Sequence, residues 1–363
     1  MFNRNNQQLI VDIVLSKRIY SLRFLLIVFV VFIHGGVIDT NVNFADGIQT
    51  FDAPFYVIKI QEFTDAITCV AVPFFLLISG YLLYIKEPNF LENLRKKSKS
   101  ILLPYMLWTI LIIIFFFVAQ SFIFSKPYFT RLIVRNFSLA DWIGAFIGHF
   151  GLFTESGNPL VYQFWFLRDL FVLNILFVII KKVVDLCPGS VFILFLILWI
   201  NDINIYIVDN KSLFFFTLGY YIVKYNINYK HIDNISTFDM VIMYMITIII
   251  YLFFKEKIFI FSVINIIIGI MFFFKLSDNF IKKEKTYKKF LWLEKYAFWV
   301  YATHGIVIIT LIKISVKIMP MHGGWLLINY FFVTLLCISI LVGIGVIFKK
   351  IFPRIFSILT GER

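Results

Sequence analysis

Apolar runs long enough to cross a bilayer recur from one end of this chain to the other, and they leave few folds open. Ten can be drawn, over 20–38, 66–85, 101–124, 164–180, 187–206, 212–223, 238–254, 258–275, 291–312 and 324–348. About 20 consecutive apolar residues span a hydrocarbon core. The run at 212–223 is short for that purpose, so it is expected to be tilted, broken or re-entrant. With 61% of all residues hydrophobic, the chain has no polar stretch from which to build a separate soluble domain. The expected fold is therefore all-α, a single polytopic membrane domain over 1–363 of about ten helices, with no appended soluble domain.

Charge fixes the expected orientation. The formal charge of +13 sits in short loops between apolar runs. That placement speaks for topology and lipid headgroups, and against nucleic acid as a partner. With both termini cytoplasmic, 23 Lys and Arg fall on the inner side and 9 on the outer side, the bias expected of a multi-pass protein of the cell (inner) membrane. The first run is too long for the h-region of a signal peptide and lacks a small-residue cleavage site. Cys69, Cys187 and Cys337 have no ligand spacing and read as small core residues, with no metal and no disulfide.

The first run, SLRFLLIVFVVFIHGGV from Ser21, contains two ionisable residues, Arg23 and His34. Eleven residues at 3.6 per turn return to within about 20° of the same helix face and rise about 16 Å. One face thus carries a fixed cation towards the inner surface and an imidazole towards the outer one. Such groups at membrane depth are costly and face a protein interior or a water-filled cavity. Taken singly, Arg23 also fits a snorkelling anchor beside Lys17 and Arg18, and His34 a polar link between helices.

Further patterns lie along the chain. Ser79-Gly80 is a small spot in the bulky run PFFLLISGYLL, suited to close helix packing. LRKKSKSILLPY clusters Arg95, Lys96, Lys97 and Lys99 before a span opening with a proline. FWFLRDL puts Arg168 and Asp169 inside an apolar run; being adjacent they point about 100° apart, so they are expected to serve different neighbours. YAFWVYATHG puts His304 in mid-span among aromatics, an ordinary place for a hydrogen-bonded core histidine. The loops 39–65 and 125–163 are expected outside, the second holding an amphipathic piece, LADWIGAFIGHF.

Taken together these motifs resemble the acyltransferase-3 family of integral membrane O-acyltransferases. Arg23 and His34 match its arginine, ten residues, histidine pattern. Phe74, Phe75, Ser79, Gly80 and Tyr81 are similar to its FF-x-x-SG-F/Y motif, and Trp165, Phe166, Leu167, Arg168 and Asp169 to its WFL segment. Phe216, Gly219 and Tyr220 resemble its F-x-x-G-Y/F segment, and Tyr301 and His304 its late Y-x-x-H. The order of motifs agrees over nearly the whole chain. One departure stands out: where the family commonly has R-x-x-R before the third helix, this chain has Lys96-x-x-Lys99, keeping the charge but losing the planar guanidinium fork.

The resemblance implies transfer of an acyl group, usually acetyl, from cytoplasmic acyl-CoA to a hydroxyl of a cell-surface or lipid-linked glycan. Acetyl-CoA would be a donor substrate, with no resident cofactor. Arg23, Arg95, Lys96 and Lys99 would receive its phosphates. His34 would be catalytic, as general base or as acyl carrier. His304, Asp169 and Ser79 would be secondary or orienting; Asp39 and Asp65 also qualify as orienting acids. Trp165, Arg168, Gly80 and Tyr301 would be structural or substrate-lining. The rival classes are a transporter or flippase for a glycan or lipid-linked sugar, and a non-catalytic subunit of a polysaccharide synthesis complex. The motifs leave open the glycan, the acyl group and the oligomeric state.

Overall fold

In the computed structural model, residues 2–36, 42–44, 47–49, 51–122, 133–201, 208–254 and 259–361 are described. The order is α1 (Phe2–Ile33), the hairpin β1 (Val42–Phe44) and β2 (Gly47–Gln49), α2 (Phe55–Thr68), α3 (Ala71–Lys86), α4 (Phe90–Lys97), α5 (Leu103–Ala119) and α6 (Leu139–Ile147). There follow α7 (Trp165–Leu186), α8 (Pro188–Ile200), α9 (Asn210–Lys224), α10 (Lys230–Asn234) and α11 (Thr237–Phe254). The chain closes with α12 (Ile260–Lys282), α13 (Glu284–Glu294), α14 (Ala297–Ile318), α15 (Trp325–Ile351) and α16 (Pro353–Leu359). Among the described residues the chain is thus a helical bundle with one antiparallel hairpin of two three-residue strands, pairing Val42 with Gln49 and Phe44 with Gly47.

Among the described residues, six helical stretches are long and apolar enough to cross a membrane: Phe55–Lys86, Phe90–Ala119, Thr237–Phe254, Ile260–Lys282, Ala297–Ile318 and Trp325–Ile351. The expected spans at 66–85 and 101–124 are the ends of much longer helices. α4 and α5 join through a π-helical turn, Ser98–Leu102. The wider turn suits Pro104, which lacks an N–H and whose ring crowds the carbonyl four residues back. The cluster Arg95–Lys99 is consequently helical, not the loop the sequence suggested. α7 and α8 are long and apolar enough to cross a membrane only when taken together, and they are bent by 120°. The bend falls at Cys187, where φ −139° and ψ 67° precede Pro188, since proline disfavours helical geometry in the residue before it. Cys187 is exposed there rather than a core residue, whereas Cys337 is buried.

α1 is the hub, packed by α2, α3, α12, α13, α14 and α15. Leu22, Leu26 and Val31 are fully buried on it. Midway along α1, Arg18 is not the loop cation that charge counting implied. It is buried and donates to Asp233 at 2.9 Å and Asp278 at 2.8 Å, fixing α1 to α10 and α12. α3 and α9 form the most extensive pairing in the molecule, and two glycines make it possible. A Cβ at Gly80 would lie 2.1 Å from the Phe216 carbonyl oxygen, and one at Gly219 would lie 2.4 Å from the Tyr81 nitrogen. Backbone meets backbone there, as small residues allow between membrane helices.

The amphipathic piece of the second loop forms α6. Ser138 accepts from the Asp141 N–H and Asp141 accepts from the Ser138 N–H, a reciprocal cap that satisfies two orphan donors. The Ser138 hydroxyl donates to the Asp141 carboxylate at 2.7 Å, and this bond is the main cause holding Asp141 below the usual carboxylate pKa. Leu139, Trp142, Ile143 and Ile147 are exposed on α6, while Asp141, Gly144 and Ala145 are buried.

Candidate active site

One face of α1 opens on a cavity of about 520 Å³, within the range of pockets that hold small-molecule ligands. Arg23, Ile27 and Val30 line it from α1, Phe75 and Ser79 from α3, Phe166 from α7 and Tyr301 from α14. The cations on its wall gather at element ends: Lys86 ends α3, Lys96 and Lys97 end α4, and Lys295 precedes α14. Val30 lies seven residues beyond Arg23 and Tyr301 six beyond Lys295, about 9–10 Å deeper at the helical rise. The cavity therefore has a cationic mouth and an apolar, aromatic inner end.

Arg23 is held at that mouth. It donates to the Glu294 carboxylate at 2.8 Å and lies over the Tyr20 ring at 4.7 Å, an arrangement a guanidinium favours. Lys96 and Lys97 line the cavity, whereas Arg95 and Lys99 are exposed and are not among its lining residues. Lys97, adjacent to Lys96 in sequence, rather than Lys99, is thus the second wall lysine.

One turn past the inner end stand two imidazoles. α1 stops at Ile33, so His34 occupies the first turn beyond the helix, its N–H donating to the Val31 carbonyl at 3.2 Å. Gly35 and Gly36 follow because neighbours leave no room: a Cβ at Gly35 would meet the Thr334 hydroxyl at 2.1 Å, and one at Gly36 the Gln61 amide at 2.7 Å. The His34 ring stacks on His304, with centroids 5.4 Å apart and planes at 28°, and meets Tyr162 edge-on at 4.9 Å. His304 is fully buried. Its Nδ1–H donates to the Tyr301 carbonyl at 2.7 Å, because a carbonyl oxygen only accepts. That bond leaves Nε2 as the acceptor in the neutral ring, and Nε2 is buried with no partner among the described residues. His34 is only half-buried, so of the two it is the one a substrate can reach. The tyrosine that fixes His304 is also a wall of the cavity, and its hydroxyl donates to the Gln163 carbonyl at 2.6 Å.

Other sequence candidates lie elsewhere. Arg168 and Asp169 bind each other after all: Nε and Nη2 of Arg168 donate to Asp169 Oδ1 at 3.1 and 3.0 Å. The arginine side chain is long enough to curl back onto its neighbour. Its Nη1 reaches the carbonyls of Ile147 and Gly157, and Asp169 Oδ2 accepts from the Asp209 N–H. This pair ties the segment around α6 to the starts of α7 and α9, and these bonds occupy both carboxylate oxygens of Asp169. Trp165 sits under the Lys211 ammonium at 5.6 Å, not in the cavity. Ser79 lines the cavity while Gly80 packs on α9. Asp65 lies on α2; Asp39 lies outside the described residues. Sequence reasoning missed Glu294, Tyr162 and Gln163. The latter two directly precede the WFL segment, and Glu294 is a lone acid beside an apolar run, each a weak signal in one sequence.

The chain is a helical membrane bundle in which a cation-rimmed cavity ends one turn short of two stacked imidazoles. The profile of the acyltransferase-3 family, described as an acyltransferase domain, matches residues 17–348, and the chain belongs to that family. A curated relative, the succinoglycan biosynthesis protein ExoH of Rhizobium meliloti (strain 1021), is 24% identical over 230 residues, which are 62% of this chain and 58% of that protein. The matched region thus spans less than two thirds of that relative. No solved structure matches.

Proposed function

We propose that this protein transfers an acyl group, acetyl in the first instance, from cytoplasmic acyl-CoA to a hydroxyl of an extracytoplasmic glycan. The observation that carries the reading is the cavity itself. Its cationic mouth suits the phosphates of CoA, and its narrow apolar interior suits the pantetheine arm and thioester. Its inner end, at Val30 and Tyr301, lies one turn short of His34 and His304. In direct transfer, His34 takes the proton of the acceptor hydroxyl as its oxygen bonds to the thioester carbonyl carbon. The C–S bond then breaks, and the proton passes to the departing thiolate. In the two-step alternative, a His34 nitrogen carries the acyl group between donor and acceptor. The likeness to a succinoglycan biosynthesis protein supports a glycan acceptor. The charge bias supports cytoplasmic termini and the cell (inner) membrane, which puts Arg23 on the donor side and His34 towards the acceptor. Mass spectrometry of surface glycans from cells with and without this gene tests the reading. Loss of a defined O-acyl group on deletion supports it, and identical glycans contradict it.

A further inference from the structure

We propose that Glu294 is a counter-ion which a CoA phosphate displaces from Arg23, and which hastens release of spent CoA by returning to it. This rests on the donor reading above. Glu294 is the last residue of α13, and its carboxylate is bonded to Arg23 at 2.8 Å while both side chains line the cavity. The pair is accessible, with Arg23 33% and Glu294 15% exposed, so solvent and ligand reach it. It stands among Lys86, Lys96, Lys97 and Lys295, a field that draws polyanions in without its help. Such a mouth binds a polyanion well and parts with it slowly, a handicap for a transferase that must discard CoA at each turnover. A carboxylate already seated on the guanidinium corrects this in two ways. An arriving phosphate, with more charge and more acceptor oxygens, must first displace it. Once displaced, the carboxylate stays in the mouth beside the phosphate and repels it. Glu294 thereby weakens the hold on donor and product alike and shortens the lifetime of the product complex.

A brace that only positioned Arg23 would have the opposite signature, so the sign of one substitution decides. In purified full-length protein, Glu294→Gln should bind CoA about two- to fivefold more tightly than wild type, the worth of a solvent-facing ion pair. Dissociation should be slower, and KM for acetyl-CoA lower. Glu294→Asp, which keeps the charge, should stay near wild type. Glu294→Ala repeats the measurement should the amide variant fail to fold. Unchanged or weaker CoA binding in the uncharged variants, with Arg23→Gln weakened as expected, overturns the displacement and leaves the donor reading standing. A wild-type protein that binds no CoA, or an Arg23→Gln variant that binds it normally, overturns both.

Discussion

His34 and His304 show how much chemistry depends on a few atoms. Both are visible in the sequence as polar residues in apolar runs. The sequence could not show that they touch, because the contact joins the end of α1 to the middle of α14, 270 positions apart. It also could not show that His304 spends Nδ1 on its own backbone. The geometry ranks them. His34 is reachable, whereas His304 is fully buried and supports the first ring by stacking. His304→Gln should therefore keep measurable acyl transfer, reduced less than in any His34 variant, when O-acyl content of surface glycans is measured at equal protein levels. For Arg23, Arg23→Gln should weaken CoA binding more than loss of Lys96 or Lys97 alone, because its planar guanidinium, held over the Tyr20 ring, offers a phosphate a bidentate fork. Binding in wild type should also fall as salt rises, since exposed phosphate contacts are screened. Titration of the purified variants with CoA measures both.

Element by element, apolar periodicity and length were enough to find most helices, and they failed where a proline or glycine does its work locally. The π turn before Pro104 moved the cation cluster from a loop onto a helix, where Lys97 rather than Lys99 lines the cavity. The 120° bend at Cys187 falls between the two expected spans 164–180 and 187–206 and makes them a bent pair. The Arg168–Asp169 pair defeated the 100° argument because an arginine side chain is long enough to fold back on its neighbour. A close-packing spot on α3, by contrast, was legible as Ser79-Gly80, since small residues in bulky runs mark close packing; its partner α9 was not. Gly80→Ala should cost about 1–3 kcal/mol by overpacking, because its new methyl would press on the Phe216 carbonyl. Thermal unfolding of the detergent-solubilised variant should show a lower midpoint than wild type; an unchanged midpoint would mean the helices can part without cost.

At the scale of the whole molecule, α1 joins the two ends of the proposed reaction. It carries Arg23 at the mouth, Val30 at the inner end and His34 just beyond. The direction of the reaction then depends on which way α1 crosses. Charge bias predicts cytoplasmic termini, so reporter fusions after residue 361 and within 139–157 should report the inner and the outer side respectively. An outer C-terminus would reverse the places of Arg23 and His34. The central claim is that acyl transfer passes through His34. It is tested by O-acyl content of surface glycans in cells lacking the gene and supplied with wild type or His34→Ala at matched membrane levels. A general base contributes about 10²–10⁴-fold to rate, so His34→Ala should lose nearly all O-acylation while still binding CoA. Near wild-type O-acylation in His34→Ala would contradict the account and favour a flippase for the glycan instead.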